Sequence, residues 1–94
     1  MTKSELITKI AGRTGIEKVT VSAVIESMMG EVKESVISNE SVFLRGFGTF
    51  KAKKRAEKTA RNIKKNTTII VPSHYIPAFK PAKSFVNSTK TTIK

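Results

Sequence analysis

The stretch VFLRGFGTFKAKKR, residues 42–55, is where the character of this chain changes. Before it, apolar residues recur at steps of three and four; from Val42 onward the pattern alternates well enough for a strand. That is the change from a helical period to the period of an extended strand. Phe43, Phe47 and Phe50 are the bulky members. Gly46 and Gly48 are the points where a single strand would bend sharply while Phe47 packs inward. The Gly-Phe-Gly triplet is not read as a phosphate loop, because a further glycine, the Lys-Ser/Thr pair and a following helix are missing. From Lys51 the apolar face disappears. Between Lys51 and Lys65 there are eight Lys/Arg against one Glu, and the only apolar residues are Ala52, Ala56, Ala60 and Ile63. A two-stranded ribbon without an apolar face is marginal in water, so this segment is either a linker or an arm that becomes ordered on a partner. The run TTIIV, residues 67–71, supplies a strand to pair with the first and favours the arm. Ten residue steps, from Lys53 to Ile63, extend roughly 33 Å, which is reach and not core.

On the N-terminal side of that stretch the reading is helical. Thr2 and Glu5 have capping-box spacing, so a helix should begin near Lys3, with Leu6, Ile7, Ile10 and Ala11 on one face and Gly15 as its stop. A second helix is expected from about Lys18 to Ser38, with Val21, Val24, Ile25, Met28, Met29, Val32, Val36 and Ile37 as a broad stripe. Its many β-branched residues and Gly30 give it poor intrinsic propensity, so packing must hold it, and one thin helix covers too little of it. Met28 and Met29 are read as core, since methionine commonly fills gaps. Asn39-Glu40 is the expected turn, asparagine tolerating the left-handed conformation. On the C-terminal side, Pro72 ends or edges the return strand. Tyr75, Ile76 and Phe79 follow, and Pro81 is placed to open a third short helix carrying Lys83, Phe85 and Val86.

Composition narrows the function. Ninety-four residues make one small domain, for which a partner subunit is a plausible support. Residues 1–40 hold five Lys/Arg and six Glu, a sum of −1; residues 41–94 hold thirteen Lys/Arg and one Glu, a sum of +12. Solubility does not require such segregation. It points to a polyanion, nucleic acid first and an anionic membrane surface a distant second. The basic segment lacks the apolar face of an interfacial helix, no run is long enough to cross a bilayer, and the first twelve residues do not read as a signal peptide. There is no cysteine, no aspartate, and one histidine, His74. A disulfide framework, a zinc site and a catalytic triad all lack their residues. Glu31 and Glu34, one turn apart, read as a solvated face, and no catalysis or cofactor is expected.

Two short helices, the motif Gly46-Phe47-Gly48-Thr49-Phe50, a long basic arm with Arg61-Asn62 at its far end, and Pro77-Ala78-Phe79-Lys80-Pro81 on the return are together highly specific. Over essentially the whole chain this pattern resembles the HU and integration host factor family. The resemblance implies an α+β fold: a helical base, a three-stranded antiparallel sheet and an extended β-hairpin arm, built as an intertwined dimer. Residues 1–40 would be the helical dimerisation part, 41–80 the sheet and arm with its tip near 61–66, and 81–94 the C-terminal helix. Val32, Phe47, Phe50 and Phe79 would lie in the dimer core. The partner implied is double-stranded DNA, held in the minor groove and by its phosphates. By position, Lys53, Arg55, Lys58 and Arg61 match the cations of the family's arm, and Lys3, Lys80 and Lys83 match those on the body. Asn62 matches the polar residue beside the wedge, and Lys54, Lys64 and Lys65 are additional charges. The family's arm tip reads Arg-Asn-Pro, with Thr-Gly two residues later. Here Ile63 stands in the place of the proline, with Lys64, Lys65 and Asn66 after it. Isoleucine is apolar and compact, as an intercalating wedge must be, but lacks the proline's fixed φ; the alternative is that it only packs on its own hairpin. The implied function is non-enzymatic bending and compaction of duplex DNA in a bacterial nucleoid, by a homodimer or a heterodimer with a paralogue. The rivals are a sequence-specific integration-host-factor-like subunit and a basic RNA-binding protein.

Overall fold

A computed structural model of the chain describes residues 1–62 and 67–93, with side chains at 1–59 and 68–93. The element order is α1 (Lys3–Thr14), α2 (Lys18–Ile37), β1 (Val42–Leu44), β2 (Gly48–Arg55), β3 (Lys58–Asn62), β4 (Thr67–Val71), β5 (His74–Pro81) and α3 (Lys83–Thr92). The architecture is α+β. It divides into two compact units, Met1–Glu34 and Ser35–Lys94.

Local chemistry sets the helix ends of the first half. The Thr2 hydroxyl accepts from the Glu5 backbone N–H at 3.2 Å, satisfying one of the orphan donors of α1. Gly15 closes α1 at φ 75°, its N–H bonding the Ala11 carbonyl. The C-terminus of α2 is a Schellman arrangement. Asn39 sits at φ 61°; its N–H bonds the Val36 carbonyl at 2.9 Å, and the Glu40 N–H bonds that of Ser35 at 2.8 Å. Of the apolar residues on α1 and α2, only Ile7, Val21 and Val36 are buried, while Val24, Met28, Met29 and Ile37 remain exposed. The stripe that the sequence marks as core is therefore left largely uncovered by this one chain.

The second half departs from the sequence reading in three places. The stretch 42–55 is not one bent strand but a hairpin. Phe47 donates its N–H to the Leu44 carbonyl at 2.9 Å, and Gly46, at φ 80°, occupies the position of the turn that glycine alone takes without strain. The basic strand β2 does not pair with TTIIV. It pairs in antiparallel register with β5, from Gly48–Pro81 to Arg55–His74, and TTIIV pairs with β3 further out. Pro81 does not open α3. It closes β5, and α3 begins after Ala82, whose N–H bonds the Phe47 carbonyl at 2.8 Å and ties the helix start to the β1–β2 turn. The strands form a three-stranded sheet, β1-β2-β5, and a two-stranded hairpin, β3-β4.

Candidate nucleic-acid interface

Directly opposed residues of an antiparallel ladder share a face, and successive residues along a strand alternate between faces. The register of β2 and β5 therefore sorts their side chains in two. One face carries Gly48–Pro81, Phe50–Phe79, Ala52–Pro77 and Lys54–Tyr75; the other carries Thr49–Lys80, Lys51–Ala78, Lys53–Ile76 and Arg55–His74.

The first face packs. The rings of Phe50 and Phe79 lie 4.8 Å apart, and those of Phe47 and Phe79 are at 5.1 Å. Phe47 stacks on Phe85 of α3 at 5.7 Å. These spacings are favourable for aromatic pairs. They also place α3 against this face; on the opposite face Lys53, Arg55, His74 and Lys80 are exposed, and Thr49, Lys51, Ile76 and Ala78 are half-buried. That opposite face holds four cations, Lys51, Lys53, Arg55 and Lys80, and no acid.

Of the cations marked in the sequence, Lys53, Arg55 and Lys80 thus come together. Lys54 does not: it stands on the other face beside Tyr75, where both are exposed. Lys51 joins the cluster and was missed, although the alternation in KAKKR places it with Lys53 and Arg55. Lys83 is the first residue of α3 and is exposed. Lys3, in the first unit, opens α1 and its ammonium bonds the Glu26 carboxylate of α2, both side chains being about half exposed.

Beyond Arg55 the ribbon continues in β3 and β4, with Lys58 opposite Val71 and Thr59 opposite Ile70. Both strands are interrupted at matching points, residues 56–57 and 72–73. Pro72 has no N–H to give a ladder, and the His74 Nδ1 lies 3.0 Å from its carbonyl. Arg61 and Asn62 belong to β3 by backbone, opposite Thr68 and Thr67, but their side chains are outside the described set. Ile63, Lys64 and Lys65 lie outside the described residues altogether.

Of the residues expected in a dimer core, Val32 and Phe50 are half-buried, and Phe47 and Phe79 stay open to solvent along one side. At Phe79, within the second unit, an apolar cleft of about 560 Å³ is lined by Phe79, Pro81, Phe85, Val86 and Ile93.

The chain matches the family model described as bacterial DNA-binding protein over residues 1–90. It is 37% identical over 90 residues to the SPbeta prophage-derived DNA-binding protein HU 2 of Bacillus subtilis, covering 96% of this chain and 98% of that one. It is 38% identical over 84 residues to the integration host factor subunit beta of Shewanella pealeana, covering 88% of each. Among solved structures, the Anabaena HU–DNA cocrystal structure superposes with a TM-score of 0.87 at 31% identity over the full length of both chains. With that match spanning helices, sheet and arm alike, the chain belongs to the bacterial DNA-binding protein family that includes HU and integration host factor.

Proposed function

We infer that this protein binds double-stranded DNA as a dimer and bends and compacts it, with little sequence preference and without catalysing a reaction. The observation that carries this reading is the one-sided sheet. Four cations gather on the face opposite the aromatic cluster, and an arm with more cations continues from it. Phosphates supply affinity through Lys/Arg contacts and counterion release, and the minor groove offers a degenerate code that favours deformable sites over particular sequences. The residues assigned to DNA are Lys3, Lys53, Lys54, Arg55, Lys58, Arg61, Asn62, Lys64, Lys65, Lys80 and Lys83, with Lys51 added by the register. The whole chain acts as one DNA-binding domain, on the chromosome in the bacterial cytoplasm. The exposed stripe of α2 and the open sides of Phe47 and Phe79 are the surfaces that a second copy covers, contributing to stability with their apolar area.

Energy transfer between fluorophores at the two ends of a short duplex tests the reading, since a bending protein raises it and a simple coating protein does not. Ile63 takes the wedge position of the family's proline. Ile63→Ala should keep most of the affinity and lower the bend angle; an unchanged angle would leave Ile63 only a packing role. Glu26→Gln should tighten DNA binding, most clearly at low salt, because it frees the Lys3 ammonium and removes a negative charge. Its effect on stability should stay within about 1 kcal/mol, as for other exposed ion pairs. Unchanged affinity in Glu26→Gln would remove Lys3 from the interface.

The similarity to an integration host factor subunit favours a second reading, half of a sequence-specific heterodimer. Competition between a random duplex and one selected for tight binding separates the two. A discrimination of the order of a thousandfold would support the specific subunit.

A further inference from the structure

Phe43 is the phenylalanine that the aromatic cluster leaves out. The rings of Phe47, Phe50, Phe79 and Phe85 pair with one another, whereas Phe43 is 78% exposed. Register gives the reason. Phe43 is opposite Thr49 on β2, and Thr49 is opposite Lys80 on β5. The three form a row across the sheet on its cationic face, one step from Lys51. Val42 and Leu44, on either side of Phe43, fall on the packed face and are half-buried. A large apolar ring standing in water on a charged face does nothing for the fold; a polar residue would suit an edge strand better.

We propose that Phe43 is a stacking contact for an unpaired base, and so a determinant of preference for nicked or gapped DNA over intact duplex. The proposal rests on the DNA-binding reading above and adds a residue to it. Aromatic side chains stack on the π-face of any base, without regard to sequence. In an intact duplex each base is already stacked and paired, so the ring has nothing to receive. Where a strand is interrupted, turning a base outward costs least. The cations are placed to hold the flanking phosphates. Lys80 stands two strand spacings from Phe43, roughly 10 Å, within the span of a nucleotide and a lysine side chain. Lys51 lies in the adjacent row, and Arg45 is exposed in the turn that follows β1.

The test uses the full chain with Phe43→Ala and Phe43→Trp, on an intact duplex and on the same duplex carrying a short single-stranded gap. Because Phe43 is exposed, both variants should fold, which the thermal midpoint and circular dichroism check. Phe43→Ala should weaken binding to the gapped duplex roughly 5- to 150-fold, the loss expected for one base–aromatic stack, and leave the intact duplex unaffected. Phe43→Trp should keep the preference. The chain has no other tryptophan, so its emission should be quenched by gapped and not by intact DNA. An unchanged gapped-to-intact ratio in Phe43→Ala, whether through loss on both DNAs or on neither, overturns the proposal. Wild-type protein that binds neither DNA would instead overturn the DNA-binding reading itself.

Discussion

Gly48→Ala should melt roughly 5–20 °C below the wild type at equal protein concentration. Gly48 is buried at the start of β2, where the packed face of the sheet meets β5. A Cβ built on it would lie 2.5 Å from Cε1 of Phe79 and 2.6 Å from the backbone oxygen of Lys80. Neither neighbour can give way cheaply. The Phe79 ring is held between Phe47 and Phe50, and the Lys80 oxygen belongs to the strand that pairs with β2. Overpacking of this kind costs about 1–3 kcal/mol, and each kcal/mol moves the midpoint of a domain this size by about 4–8 °C. The control is Gly12→Ala in α1, where a new Cβ meets nothing within 4 Å. That change should be neutral or stabilise by up to about 1 kcal/mol, since alanine is the better helix former. If both variants melt with the wild type, Gly48 is not tightly packed against β5.

The second large effect is on DNA affinity. If about eight phosphates are neutralised, log K should fall against log salt with a slope near −7, so that moving from 50 to 200 mM salt weakens binding roughly ten-thousandfold. With thirteen Lys/Arg against one Glu in residues 41–94, phosphate contact should be the main source of affinity. Arg61→Ala should weaken binding and flatten the slope by about one unit. Titrations at four or five salt concentrations measure both quantities. A binding constant that scarcely responds to salt would remove the electrostatic account, whatever the protein does to the shape of the duplex.

Much of this was legible in the sequence because it depends on local chemistry. Thr2, Gly15 and Asn39 end their helices through bonds to backbone groups a few residues away. The segregation of charge is a property of the sequence alone. The arm was recognisable as the stretch where cations replace the apolar face. The errors fell where strand pairing decides the outcome. The segment 42–55 alternates well enough for one strand, but the turn from Leu44 to Phe47 and the pairing of β1 with β2 fold it into a hairpin. Pro81 has the chemistry of a first helical residue, but pairing with Gly48 holds it in β5.

What the sequence determined by itself is where the charge lies, where the helices stop, and that Lys51, Lys53 and Arg55 must point the same way. Which way they point was decided by the tertiary structure. Alternation along one strand says which residues share a face, but not which face is buried. That choice came from the aromatic cluster, which turned Phe50 and Phe79 toward α3 and so turned Lys51, Lys53, Arg55 and Lys80 outward. The same step put Lys54 on the wrong side for this cluster and left Phe43 on the cationic face.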